Sequence, residues 1–341
     1  MESSIQSIEK TKVSALPDLP SDSQDRFLND SIDLFSYAQS GHMLHQCYIG
    51  EGLEYWNEFM RQSDEYYVTK DETNLILTTR DEISRIAQDQ LHGSLHLVEL
   101  GPGSRLGLDK TLTLCEALPE FSYFPCDWSE DSVDLAKTVI KEQYPHAQVT
   151  GQKADFNRES LAVPLGGRRL VAIFGSSASN IPGFSKQGIP VDVLNASFRN
   201  IRSNMQSGDI LVVSIDQNQN GEMMEGMYSH PMHAAFSKNI LTRMKSELPV
   251  LNLDTEAFQY NPKWHPKAHL LSHDLVAITN TNFQMGPKHF DIKAGERFSY
   301  SNSYKYPDHA LNKVFNATKF GLIKKWNSPA NTMNLFALRA V

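Results

Sequence analysis

The chain has 341 residues, 40% of them hydrophobic, enough apolar material for the core of one or two globular domains, which excludes disorder of the whole chain. Its 32 Lys+Arg against 40 Asp+Glu leave a formal charge of -8 with no basic block, which argues against nucleic acid as a partner, because phosphate binding draws on clustered cations. Three widely spaced cysteines, Cys47, Cys115 and Cys126, build neither a disulfide framework nor a CxxC zinc pair, and a reducing cytoplasm fits them.

Residues 1–25 are rich in Ser, Asp and Pro, lack an apolar leader core, and are expected to form a flexible tail. No run approaches the ~18 apolar residues of a membrane span, so no membrane is expected. From Phe27 to Leu91 apolar residues recur every three or four positions, predicting a mainly helical segment with Asp71 capping one helix. Residues 95–100 predict a buried strand that stops at Gly101-Pro102-Gly103-Ser104, and a helix follows at about 110–118. Residues 122–127 predict a second strand, 129–142 a helix capped by Ser129, and 148–151 a short extended piece. A fourth strand is predicted at 169–174, a helix at 191–205 and a fifth strand at 209–216. Strands separated by helices of this length imply an α/β fold, with a parallel sheet covered on both faces. Between 217 and 300 the rhythm breaks into helical stretches at 223–227 and 234–248 and extended pieces near 268–279, which reads as an insertion. Two apolar runs, 320–326 and 333–340, suit a hairpin that closes the sheet edge.

The stretch VELGPGSRLGLDKT, Val98 to Thr111, links a strand to a helix, where a ligand meets free backbone N–H groups. Gly101 and Gly103 allow close approach, but Gly107 falls one residue late for a dinucleotide fingerprint, which counts against NAD. Asp127, at the end of the next strand, is placed to accept the two hydroxyls of a ribose. Asp155 and Phe156 follow the third extended piece, where the acid could accept an adenine amino proton and the ring could stack on the base. Glycine turn, ribose acceptor and adenine pair on consecutive strand ends form the arrangement of S-adenosylmethionine sites in class I methyltransferases. Plainer readings stay open for each part: an ordinary turn, a helix cap at Asp127, a core ring at Phe156.

Four segments occur in order. YIGEGLEYWNEFMRQSDEYYVTKDE (48–72) joins a tyrosine–glycine element to Glu65-Tyr66-Tyr67 and Thr69, and VELGPGSRLGLDKT ends in Lys110-Thr111. GRRLVAIFGSSASNIPGF (167–184) is an arginine-led strand running into Gly175, Ser176 and Asn180, and AGERFSYSNSYKY (294–306) carries Ser303, Lys305 and Tyr306. Together they resemble the histidine Nα-methyltransferases of ergothioneine biosynthesis and their fungal relatives that methylate prenylated tryptophan. The resemblance implies a class I, Rossmann-like methyltransferase sheet with a family-specific substrate domain formed by the N-terminal segment and the insertion after the fifth strand. On that basis residues 26–70 and 217–300 are expected to bind substrate, and 71–216 with 301–341 to bind S-adenosylmethionine.

By the same resemblance the cofactor contacts are Gly101, Gly103, Lys110, Asp127, Asp155, Phe156 and Ser176, although the glycine loop carries about three extra residues. Tyr66, Asn180 and Tyr228 would grip the amine and carboxylate of an amino-acid-like small molecule, and Tyr48 would border cofactor and amine, making Tyr48 and Asn180 the catalytic candidates. At the side-chain end the family places a glutamate and a serine on imidazole; here Ser301 stands for the glutamate beside Ser303, and His269 aligns with an apolar pocket residue. The expected activity is N-methylation of the α-amine of an amino acid or close derivative, not histidine, with an indole-type amino acid as first choice. The alternative is histidine itself, made into hercynine, with Glu296 supplying the missing acid. Asn180 before Ile181-Pro182-Gly183 also reads as a turn asparagine, Tyr66 as a helix-end aromatic, and Ser301 and Ser303 as outward residues of a plain strand. Zinc is not expected: the groupings His42, His45, Cys47 and His230, His233 lack a further ligand.

Overall fold

The computed structural model describes residues 23–37, 43–63, 66–90, 93–163, 166–180 and 188–341. The expected tail as far as residue 22, His42, Glu65 and the turn Ile181-Pro182-Gly183 lie outside the described residues.

Helices α1 (Ser23–Tyr37), α2 (Leu44–Cys47), α3 (Gly52–Gln62) and α4 (Tyr67–Gln90) precede β1 (Leu95–Leu100), α5 (Leu108–Cys115), β2 (Phe121–Asp127) and α6 (Glu130–Gln143). Next come β3 (Gln152–Lys153), β4 (Arg168–Ile173), α7 (Val191–Ser203) and β5 (Ile210–Asp216). The break in rhythm holds α8 (Gly221–Tyr228), α9 (Pro231–Glu247), β6 (Val250–Leu251), β7 (Phe258–His265), β8 (Leu270–Ala277), β9 (Thr281–Met285), β10 (Lys288–Ile292) and β11 (Arg297–Tyr304). The chain closes with α10 (Asp308–Ala317), β12 (Phe320–Asn327) and β13 (Met333–Ala340).

Seven strands form one sheet in the order β12-β13-β5-β4-β1-β2-β3. From β3 to β5 the neighbours are parallel, and the terminal hairpin adds β13 antiparallel to β5 with β12 at the edge. Alternate residues serve opposite faces: Leu97, Leu170 and Val212 pack with Ile76 and Ile83 of α4, while Val98, Val171 and Val213 pack with Phe198 of α7 and Val314 of α10. Every residue of β5 is buried, as a central strand covered on both sides requires. Ser129 Oγ accepts the Ser132 N–H at 3.3 Å and caps α6 as expected.

A second unit contains two three-stranded sheets, β11-β8-β7 and β10-β9-β6, around rings including Phe35 of α1, Phe283 and Phe298. The Phe35 ring lies 4.9 Å from each of the other two, which joins α1 to this unit.

Three expectations change. Helix α4 begins at Tyr67, so Asp71 sits inside it and accepts the Thr332 hydroxyl at 2.6 Å instead of capping. The third strand falls at Gln152–Lys153, with only an isolated bridge at Val149. Residues 301–304 pair with β8, Ser301 opposite His273 and Ser303 opposite Leu271, so they lie in a small sheet and not beside the large one. The alternating run SYSNSY suits either sheet, and only the register distinguishes them.

Candidate active site

Loops at the carboxyl ends of β1, β2, β3 and β4 converge at one edge of the large sheet. Gly101 and Gly103 follow β1 with φ of 78° and 69°, a left-handed region that disfavours side chains. The Gly101 N–H donates to Cys126 O at 2.8 Å, and the Gly103 N–H lies 3.4 Å from Asp127 Oδ2, so the turn is folded over the end of β2. A Cβ on Gly101 would stand 3.3 Å from Ser177 Oγ and 3.7 Å from Phe156 Cε1, which puts the Phe156 ring beside the turn. Asp127 also takes the Ser129 N–H at 2.9 Å, and burial pushes its carboxyl up while these backbone donors pull it down. Asp155 accepts the Asn157 N–H on Oδ1 at 3.1 Å and keeps Oδ2 buried without a hydrogen-bond partner; Arg158 Nε, 3.5 Å away, lacks hydrogen-bond geometry. An adenosine fits what is left open here: ribose hydroxyls on Asp127, a base on Phe156, an amino group on the orphaned Asp155 oxygen.

Two expected cofactor contacts point elsewhere. Lys110 is buried in an ion pair with Glu72 Oε2 at 2.7 Å, and Glu72 Oε1 accepts the Gly175 N–H at 2.7 Å and the Ser214 hydroxyl. Lys110 therefore fastens α5 to α4 and to the strand ends beneath the turn. Ser176, with φ of 56°, turns inward, its Oγ 2.9 Å from Ser179 Oγ and 3.1 Å from the Asp216 N–H that it accepts. Its neighbour Ser177 faces Gly101 instead.

On the other side three tyrosines meet. Tyr48, following α2, packs edge-on against Phe236 of α9 and Trp56 of α3 at 4.8 and 5.5 Å between centroids. Burial, then the nearby charges of Cys47 and Asp127, push its hydroxyl up, so Tyr48 lies within electrostatic reach of Asp127. Tyr66, just before α4, and Tyr228, ending α8, hydrogen-bond through their hydroxyls, with perpendicular rings 6.0 Å apart. Burial raises both. Asn180 ends a 3-10 turn at Ser177–Asn180, half-buried, between β5 and β11. Ser301 and Ser303 lie buried on β11, and Ser303 Oγ accepts from Lys305 Nζ at 3.0 Å.

His269 is not brought to this cluster. It occupies a left-handed turn before β8, with φ of 49° and Nδ1 2.6 Å from Gln219 Oε1. His273 takes the place a ring was expected to fill, opposite Ser301 and 5.1 Å from the Tyr228 ring. Its Nδ1 bonds the Tyr260 hydroxyl at 2.7 Å, and the His233 ring lies 5.5 Å away. Burial, then the Lys305 charge, lowers His273 to about 3, and burial carries His233 well below the usual imidazole value, so both rings are neutral. Glu72, Asp216, Tyr260 and His273 were missed, because each is recruited by hydrogen bonds 13 to 149 residues distant along the chain, and His233 was weighed only as a zinc ligand. Among the described residues no three His, Cys, Asp or Glu side chains gather as a metal site, and no helix is long and apolar enough to cross a membrane.

Residues 43–340 match the family profile described as histidine-specific, SAM-dependent methyltransferase. The chain is 25% identical over 293 residues to a histidine N-alpha-methyltransferase of Mycobacterium tuberculosis, covering 83% of this chain and 85% of the relative. It is 23% identical over 286 residues to the N-methyltransferase imqF of Aspergillus flavus, covering 81% and 74%. Among solved structures, an S-adenosylmethionine-dependent methyltransferase from Clostridium acetobutylicum aligns with 83% of this chain and 98% of its own at 12% identity and a TM-score of 0.46. With its class I sheet and S-adenosylmethionine as cofactor, the chain belongs to the histidine-specific, SAM-dependent methyltransferase family.

Proposed function

We propose that the chain methylates the α-amine of an amino acid or a close derivative. The observation that carries this reading is the meeting of Tyr48, Tyr66 and Tyr228 between the Asp127 edge and the small sheet. The bound cofactor supplies a methyl carbon on a sulfonium. The protein's part is to hold a neutral nitrogen about 3 Å from that carbon along the C–S axis. An α-amino group titrates near ~8, so a dry, hydroxyl-lined wall favours its neutral form without a strong base. Tyr66, Tyr228 and Asn180 hold the amine and carboxylate; both phenols are kept protonated by burial, and with Tyr66 and Tyr228 joined by one hydrogen bond the pair keeps one O–H to donate to a carboxylate oxygen. Tyr48 orients the nitrogen, and its ring face suits the cation that forms.

The side-chain end supports a substrate other than histidine. Ser301 supplies no charge, and the surrounding carboxylates are engaged. Asp274 accepts from Arg297 Nε at 2.8 Å and Ser299 Oγ at 2.6 Å, and Asp216 from Lys305 Nζ at 2.5 Å. Glu296, the acid considered as a substitute, is exposed in a turn and accepts the Lys293 N–H at 2.9 Å. A neutral wall of Ser301, His273 and Tyr228 suits an uncharged aromatic group, with an indole-type amino acid as first choice. Histidine is the second reading, favoured by the name of the mycobacterial relative.

The test is kcat/KM for histidine against tryptophan and its derivatives, in the native protein and in Ser301→Glu. A restored charge-assisted hydrogen bond is worth ~1.5–3 kcal/mol, so the variant should gain roughly ten- to a hundredfold toward histidine. Preference for histidine in the native protein, or no gain in the variant, would sink the side-chain reading.

A further inference from the structure

We infer that Asp216, at the end of β5, is a positioning residue that sets three walls of the substrate site in register, with Lys305 as its ionic partner. This rests on the proposed α-amine site. Asp216 Oδ2 accepts the Tyr67 hydroxyl at 2.8 Å and Lys305 Nζ at 2.5 Å, while Oδ1 accepts the Asn218 N–H at 2.9 Å. Its own N–H donates to Ser176 Oγ at 3.1 Å. Three of these partners, Tyr67, Lys305 and Ser176, adjoin a substrate-facing group. Tyr67 follows Tyr66, Lys305 donates to Ser303 Oγ at 3.0 Å, and Ser176 pairs at 2.9 Å with Ser179, the residue before Asn180.

Strand pairing does not register these walls. Ser303 rides on β11 of a small sheet, whereas Asp216 and Asn180 follow β5 and β4 of the large sheet, and Tyr66 leads into a helix against that sheet. Asp216 is linked across the two units by an ion pair whose side chains are 0% and 1% exposed. In such a dry setting a carboxylate that accepts from three donors across its two oxygens has little freedom, so its partners are fixed relative to one another. The expected consequence is kinetic. Methyl transfer demands alignment of nitrogen, methyl carbon and sulfur, and a displacement of about 1 Å costs on the order of a hundredfold in rate. None of the Asp216 contacts reaches Asp127, Phe156 or the glycine turn, so cofactor binding should stand apart.

The experiment compares Tyr67→Phe, Asp216→Asn and the charge-neutral double variant Asp216→Asn/Lys305→Met, each measured for cofactor affinity by calorimetry, for kcat and KM with the best amine substrate, and for thermal midpoint. Tyr67→Phe removes one hydroxyl and leaves the ion pair intact, so it keeps the test available if the charge variants fail to fold. Expected is a fall in kcat of about tenfold in Tyr67→Phe and more in any folded charge variant, with cofactor Kd within about twofold of native. Native kcat and KM in Tyr67→Phe would overturn the inference, as would loss confined to thermal midpoint or shared equally by cofactor affinity, which is what a purely structural strut produces. Absence of transfer to any α-amine by the native protein would overturn the α-amine reading, and the inference with it; active native protein with unaffected variants would overturn the inference alone.

Discussion

Asp127 and Tyr228 stand on two sides of one site and are held in opposite ways. Asp127 is fixed by backbone N–H groups of Gly103 and Ser129, both within 24 residues along the chain. Tyr228 is fixed by side chains: the Tyr66 hydroxyl, and the rings of His233 and His273 at 5.0 and 5.1 Å, contributed by a helix start, a helix and a strand of other segments. The proposed cofactor edge is thus a local product of strand–turn–helix geometry, suited to a constant ligand. The proposed substrate wall is a tertiary product, so exchanging single side chains is expected to change what it accepts while the sheet stays as it is.

The largest break in that comparison should come from Asp127→Ala. Two ribose hydroxyls lose a charged acceptor worth ~1.5–3 kcal/mol each, so S-adenosylmethionine affinity should fall about a hundredfold or more. The KM for the amine, measured at saturating cofactor, should stay close to native; calorimetry and initial rates check the two halves. Equal losses on both sides would show that the sides are not separately built.

Acid should separate the two sides next. His273 is depressed from 6.5 to about 3, so the unfolded chain takes up its proton first and stability is lost as pH falls from about 6.5 toward 3. At about pH 5 that amounts to ~2 kcal/mol, and His233 shifts in the same direction. Asp127 is raised, so its contribution runs the other way, present at low pH and lost as pH rises through its folded value. Urea unfolding of the native protein and His273→Leu at about pH 7.5 and 5 checks the sign: the variant should lose ~2 kcal/mol less on acidification. An unchanged pH dependence in the variant would show that His273 is not the group responsible.

The smallest effect is Tyr228→Phe. It removes one hydroxyl from the pair with Tyr66, worth ~1 kcal/mol, so the amine KM should rise about fivefold while cofactor affinity holds. A matching drop in cofactor affinity would mean that Tyr228 supports the fold rather than the substrate.

The same division governs what could be read from the sequence. The glycine turn and Asp127 lie at the ends of strands that periodicity locates, Phe156 follows a third strand that falls later than expected, and the structure brings all three to one edge. Lys110 and Ser176 sit in the right motifs yet face inward, because a motif gives proximity along the chain and says nothing of which way a side chain turns. The family resemblance points to His269 alone, whereas the pairing of β8 with β11 places His273, four residues later, opposite Ser301. Asp216 reads as the end of a buried strand, and its partners Tyr67 and Lys305 lie 149 and 89 residues away along the chain. No local pattern joins them.

Transfer to an α-amine is tested most directly by incubating the protein with methyl-labelled S-adenosylmethionine and two matched panels, free aromatic amino acids and the same compounds acetylated on the α-nitrogen. Label is expected on the free amines and on none of the blocked ones, with the largest yield among tryptophan derivatives. Label on the blocked compounds would place the chemistry on the side chain, and label on neither panel would contradict the amine site altogether.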